Sequence, residues 1–236
     1  MKKIITAAVF IALSTFSAKA LELSTFSLTG GIASNQGVFG ASATESNYND
    51  VTANQITSVK KESGVFTDSY SSQFIELGIG QWISLGYEHT PDSISTPTNT
   101  TRHGSNAGEN NVSVDFNDVN STYIKINLPI LDGAYFKAGN LETDLDIKEV
   151  MGSGSTYSNV ATKGSIMGVG YAKLIGDSGF GIRFEGAYVE FDNVTTSNGI
   201  AVDGQTLANG GRNQIDAKNL EGLTGKVALT YTFGRN

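Results

Sequence analysis

Apolar residues fall on every second position in one short segment after another, and this alternation limits what the chain can become. The segment 74–79 sets Ile75, Leu77 and Ile79 against Phe74, Glu76 and Gly78. Segment 83–88 sets Ile83, Leu85 and Tyr87 against Ser84, Gly86 and Glu88. Ile124, Ile126 and Leu128 alternate with Tyr123, Lys125 and Asn127, and Met167, Val169 and Tyr171 with Gly168, Gly170 and Ala172. Phe180, Ile182, Phe184 and Tyr188 face away from Gly181, Arg183, Glu185 and Ala187. Near the end, Val227, Leu229, Tyr231 and Phe233 alternate with Lys226, Ala228, Thr230 and Thr232. Period two marks strands with one apolar face, and no window shows convincing helical spacing. A strand at Phe26–Ile32 and one within 133–147 bring the prediction to eight. The register of the 133–147 strand stays open, because Phe136 and Ala138 fit the outward face and so do Leu141, Leu145 and Ile147 with a bulge between.

Connector lengths alternate as well. Gly80–Trp82, Pro129–Gly133 and Ile175–Gly179 are tight, while Glu45–Gly64, Asp92–Asn111, Glu149–Thr162 and Asp192–Asp216 are long and polar. In an up-and-down meander all short turns then lie at one end and all long loops at the other, the asymmetry of membrane barrels. The predicted fold is all-β, an eight-stranded antiparallel up-and-down transmembrane β-barrel. Small and charged residues decide which face points inward. An eight-stranded lumen barely holds its own side chains, and the Phe, Tyr and Ile set is too bulky for it. The face with Gly, Ala, Ser and Thr is therefore assigned to the interior, together with Glu76, Glu88, Lys125, Arg183, Glu185 and Lys226, which must pair because a lone buried charge is very costly. These six form a predicted interior polar network, structural or pore-lining. The apolar face then meets lipid, with every backbone group paired in the closed sheet. Trp82, Phe180, Tyr231 and Phe233 fall toward one edge of the apolar band and Tyr87 and Tyr188 toward the other, as two aromatic girdles.

The N-terminal stretch has Lys2 and Lys3, an apolar run from Ile4 to Phe16, and Ala18-Lys19-Ala20. This is the pattern of a secretory signal cut after Ala20, so residues 1–20 are expected to be removed and 21–236 to form one barrel domain. The cut takes the formal charge from -7 to -10, since Lys2, Lys3 and Lys19 leave. An acidic chain of this kind excludes nucleic acid as a partner. There is no cysteine, so no disulfide framework holds the exported chain together.

The terminal run Lys226–Phe233, the export signal and the eight patterned strands resemble the small outer-membrane β-barrels of Gram-negative bacteria, the OmpX-, Opa- and OmpA-type family. The resemblance covers residues 21–236. It implies the cell outer membrane as location, outer-membrane lipid as partner, and recognition of the C-terminal strand and its aromatic Phe233 by the barrel-assembly machinery. Here Gly234, Arg235 and Asn236 follow Phe233, whereas the family usually stops at the aromatic. The resemblance also implies adhesion or surface protection through four external loops, whose ligand the sequence does not name. Residues 37–44 and 64–72 carry patterning beyond the band and predict tall hairpins. The alternatives are a small pore for ions or solutes and, further off, a soluble secreted barrel with its apolar face inside and a ligand bound there.

No enzyme is expected. His103-Gly104-Ser105 superficially matches the His-x-Ser pair of outer-membrane lipid A deacylases but lies among Asn, Gly and Thr rather than on a strand in an apolar groove. Glu142, Asp144 and Asp146 share one side of an extended segment, too few ligands for Ca²⁺, which wants six to eight. The glycine pairs Gly152/Gly154 and Gly168/Gly170 lack the following helix of a phosphate loop. No cofactor and no metal site is predicted.

Overall fold

The computed structural model describes residues 26–48, 55–102, 109–128, 130–150, 156–199 and 212–234. Within them every regular element is a strand: β1 (Phe26–Tyr48), β2 (Ile56–Ile79), β3 (Ile83–Thr90), β4 (Ile94–Ser95), β5 (Asn99–Arg102), β6 (Glu109–Asn127), β7 (Ala134–Val150), β8 (Val160–Leu174), β9 (Phe180–Phe191), β10 (Val194–Ser197) and β11 (Asn213–Phe233). They make eight staves. β4 and β5 continue the β3 stave against β6, and β10 continues the β9 stave against β11. Each stave pairs antiparallel with the next in chain order. β1 and β11 then close the cylinder, with a register running from Leu28 opposite Phe233 to Asn47 opposite Asn213. Closure leaves no sheet edge in the lipid, which is what allows strands to span it.

The short turns stand where the sequence places them. Gly80 and Gly133 take the positive φ (63° and 85°) that reverses the chain in so few residues, at no steric cost for a residue without Cβ. The expected signal peptide at 1–20, His103–Ser105 and the Gly152/Gly154 pair lie outside the described residues.

The long loops are shorter than the sequence predicts. Paired sheet replaces much of the expected loops 45–64 and 92–111 and extends into the described ends of 149–162 and 192–216: β1 and β2 stay in register out to Tyr48 opposite Ile56, and β6 and β7 out to Asn111 opposite Val150. At 23 residues, β1 is about 75 Å long at roughly 3.4 Å per residue; tilted about 40° it climbs about 55–60 Å, against an apolar band of ~25 Å. The patterning at 37–44 and 64–72 announces the lower part of the β1–β2 hairpin, but toward its tip, at 45–48 and 57–62, polar residues stand on both faces and no alternation announces the strand. Three register shifts interrupt these upper ladders: opposite Gly40/Ser42 the extra residue lies in β11, at Asn117/Asn120 it lies in β6, and opposite Asn47/Tyr48 it lies in β2; at the first two Asn219 and Asp118 take φ 53° and 49°. Such bulges bend a strand and tighten its twist.

β7 settles its own register without a bulge. Tyr135, Lys137, Leu141, Thr143 and Leu145 point inward and are buried, while Phe136, Asn140, Glu142 and Asp144 point outward. Leu141 and Leu145 therefore do not face lipid. The orientation is continuous but the polarity inverts along the strand, because the outer surface meets lipid below and water above.

Gly139 is among several glycines set by backbone proximity. A Cβ on Gly139 would stand 2.2 Å from the carbonyl oxygen of Thr122, whereas a Cβ on Gly225 would meet nothing within 4 Å. Gly139→Ala is expected to lower unfolding stability by about 1–3 kcal/mol through this overpacking, and Gly225→Ala to leave it nearly unchanged. Urea unfolding of both variants in lipid vesicles checks the contrast; equal midpoints would remove it.

Candidate lumen network and the chamber above it

The inward positions at mid-height carry charge. Glu76 (β2), Glu88 (β3), Lys125 (β6), Lys137 (β7), Arg183 (β9), Glu185 (β9) and Lys226 (β11) are all buried. Arg183 donates Nη1 and Nη2 to the two oxygens of Glu76, both at 2.7 Å, the bidentate geometry that suits guanidinium and carboxylate. Lys125 Nζ reaches Glu76 Oε2 at 2.5 Å. Lys226 Nζ donates to both oxygens of Glu88 at 2.6 and 2.7 Å and to Glu185 at 3.2 Å. Lys137 Nζ bridges Glu88 at 2.9 Å and Glu185 at 3.0 Å.

The remaining lone pairs are also used. Tyr123 Oη donates to Glu76 at 2.9 Å, Tyr135 Oη to Glu185 at 2.8 Å and Ser72 Oγ to Glu88 at 2.7 Å. The four cations exceed the three carboxylates by one. Rings face the cations: Lys137 lies 4.1 Å from the Tyr123 centroid and Arg183 4.4 Å from that of Phe74, a placement that the ring quadrupole favours. Glycines open the space for this layer, since a Cβ on Gly86 would touch the Tyr123 ring and one on Gly170 the Tyr135 ring, each at 2.3 Å.

The pairs Glu76–Arg183, Glu76–Lys125, Glu88–Lys137, Glu88–Lys226 and Lys137–Glu185 each connect staves that are not neighbours in the sheet. Their side chains therefore cross the lumen instead of lining it. All six charged residues singled out from the sequence meet in this one layer. Lys137, Tyr123 and Tyr135 complete it. Lys137 escapes a pattern reading because the outward phase of β7 is ambiguous; the one available signal is that Lys137 lies between Phe136 and Ala138, both suited to lipid.

Above the layer the interior turns apolar. Phe39, Ile94, Phe116, Leu145, Val189 and Leu220, with their neighbours, form a buried cluster contributed by seven of the eight staves. They surround a cavity of ≈ 860 Å³, whose polar side includes Asn35, Glu88, Ser121, Glu185 and Lys226 of the network level. The reading that bulky apolar residues stay out of the lumen is corrected here: at the network level the rings of Phe74, Tyr123 and Tyr135 already enter it among the charges, and above that level the outer wall needs water-facing residues and the core takes the apolar ones.

Of the aromatic positions, Trp82, Tyr87, Phe180 and Phe233 are exposed on the outer wall. Phe180, Tyr231 and Phe233 form an edge-to-face cluster beside the short turns, with centroids 4.8 and 4.4 Å apart. Tyr87 and Tyr188 lie higher and donate their hydroxyls to Asn120 at 2.6 Å and Glu221 at 2.5 Å. His89 pairs with Asn120 at 2.9 Å. Glu142 takes an ion pair from Lys163 at 2.7 Å on the outer surface.

The closed eight-stave cylinder has the overall fold of a solved structure. The chain is similar to the outer membrane protein OprG from Pseudomonas aeruginosa, with TM-score 0.53 and 10% identity over 84% of this chain and 95% of that one. It has the fold of an outer-membrane β-barrel. Weaker likenesses are to AlkL, solved in lipid bilayers, with TM-score 0.47 and 11% identity over 93% of this chain and 95% of that one, and to the outer membrane protease OmpT from Escherichia coli, with TM-score 0.41 and 11% identity over 93% and 100%. No family model and no curated protein sequence matches the chain.

Lys137→Met leaves the Glu88 and Glu185 carboxylates facing each other with only Lys226 between them. Removing one partner of a buried pair costs about 3–5 kcal/mol, so the midpoint of urea unfolding in lipid vesicles is expected to fall while the barrel still inserts. A midpoint equal to that of the native chain would show that the lysine is not part of the brace.

Proposed function

We propose that the chain is an integral outer-membrane protein of a Gram-negative bacterium, non-conducting, that works at the cell surface through the sheet and loops standing above the lipid. The observation that carries this reading is the lumen network: buried ion pairs between non-neighbouring staves occupy the path an ion would take. The height of the β1–β2 hairpin, roughly twice the apolar band, supports a surface role. In this reading residues 1–20 are a signal peptide removed after Ala20, and the domain is 21–236. Trp82, Phe180, Tyr231 and Phe233 form the girdle nearer the short turns, and Tyr87 and Tyr188 the outer one. The assembly machinery engages β11 through its terminal aromatics. Glu76, Glu88, Lys125, Arg183, Glu185 and Lys226 act structurally. No catalysis is assigned.

Two measurements test it. Refolded chain in a planar bilayer is expected to be silent, with its heat-dependent gel shift reporting that it is folded; steady ion-selective openings would instead make the network a selectivity filter and the protein a pore. The chain has no cysteine, so single cysteines report sidedness cleanly. Val59→Cys, exposed high on β2, should react with a membrane-impermeant maleimide on intact cells, and Asp177→Cys in a short turn only after the outer membrane is permeabilised. The reverse labelling would overturn the orientation and with it the surface role.

A further inference from the structure

We infer that the chamber above the lumen network is a binding site for a small, largely apolar molecule with one hydrogen-bonding end, taken from the external medium. The inference concerns the interior of the barrel and does not depend on what the external loops contact.

Four observations carry it. The chamber volume, ≈ 860 Å³, falls in the range of small-molecule sites, about 300–1,000 Å³. Its walls are apolar side chains from nearly every stave, Phe39, Phe66, Phe116, Leu145 and Val189 among them, and a cavity walled in this way favours an apolar guest over water. Near the network, Ser121 is buried, its Oγ has no hydrogen-bond partner, and it borders the chamber. A buried hydroxyl without a partner is costly, and a guest with one polar end would satisfy it. Finally, the chamber rises from the level of the outer girdle, where Glu88 of its floor adjoins Tyr87, into a part that stands above the lipid. In that upper part the outer wall carries Asp144, Glu190 and Glu221, neighbours in sequence of the wall residues Leu145, Val189 and Leu220. An acyl chain of the membrane does not reach this upper part through the wall, and a free hydrophobic solute from outside is the fitting occupant.

The network also limits what the site does. Glu88, Glu185 and Lys226 border the chamber and at the same time hold the ion pairs that cross the lumen. A guest entering from the loop side meets this layer, and passing it would mean separating buried charges. The chamber is a site of capture, not a step on a route through the barrel.

The test uses the refolded barrel in lipid nanodiscs and 1-aminoanthracene, an apolar fluorophore with a single amine, excited directly. Saturable fluorescence above that of empty nanodiscs is expected, with one site per barrel and displacement by n-decanol. Ile166→Trp, which adds bulk at a wall position, should weaken binding about tenfold or more. Val169→Trp, on the outer face of the same strand, should leave it unchanged. Each variant is admitted only with a native heat-dependent gel shift; if Ile166→Trp does not fold, the decanol displacement and the stoichiometry decide. Fluorescence no higher than that of empty nanodiscs overturns the inference, because it means that lipid or collapse fills the space. Binding that decanol does not displace, or that Ile166→Trp and Val169→Trp weaken equally, overturns it too.

Discussion

The bidentate bond between Arg183 and Glu76 stands at the centre of a layer of buried charge that the rest of the barrel has to accommodate. Seven ionised side chains at mid-height are taken out of water, and each is tolerated only because it meets opposite charge and hydrogen-bond donors at close range. That demand explains features far from the charges in sequence. Gly86 and Gly170 leave room for the rings of Tyr123 and Tyr135, and those phenols supply the bonds the carboxylates still lack. Because the pairs join staves that are not neighbours, the layer fixes the cross-section of the cylinder in a way that backbone ladders alone do not.

The same layer divides the interior into two environments. At its level the lumen is polar and crossed by side chains. Above it the walls become apolar and part far enough to leave a chamber. Outside, the order is reversed, with apolar residues against lipid below and acidic or amide residues against water above. The barrel is thus inside-out in the membrane and right-side-out beyond it. A binding chamber fits only in the upper part, where the interior is the place to put apolar residues.

This inversion also explains which parts of the structure could be read from the sequence. The eight staves, the three short turns and the inward face of β2, β3, β6, β9 and β11 follow from period-two patterning, since these strands show their apolar side to lipid along most of the patterned stretch. β7 does not, because its lipid-facing stretch is short: Phe136 and Ala138 face out, then Leu141 and Leu145 face in. Two phases of the same period share one strand, and a rule that equates apolar with outward cannot place it. Lys137 went unrecognised for the same reason. The β1–β2 hairpin is announced beyond the band by the patterning at 37–44 and 64–72, but the other upper hairpins read as loops because polar residues cover their water-facing surface, and what orders the tips is backbone pairing between distant segments such as Asn47 and Asn213. The chamber was invisible because Phe39, Phe116 and Leu220 come together only once the cylinder closes.

The most direct test of the brace is a double-mutant cycle on Glu76 and Arg183, with Glu76→Gln, Arg183→Met and the pair measured by urea unfolding in lipid vesicles. If the buried pair acts as a unit, Glu76→Gln strands the Arg183 guanidinium, Arg183→Met leaves Glu76 paired with Lys125 alone, and the double change loses the bidentate bond only once. The double variant should then be more stable than the sum of the single losses predicts, with a coupling of at least about 2 kcal/mol. Additive losses would mean that the two side chains contribute independently, and the crossing layer would no longer account for the rigidity of the barrel.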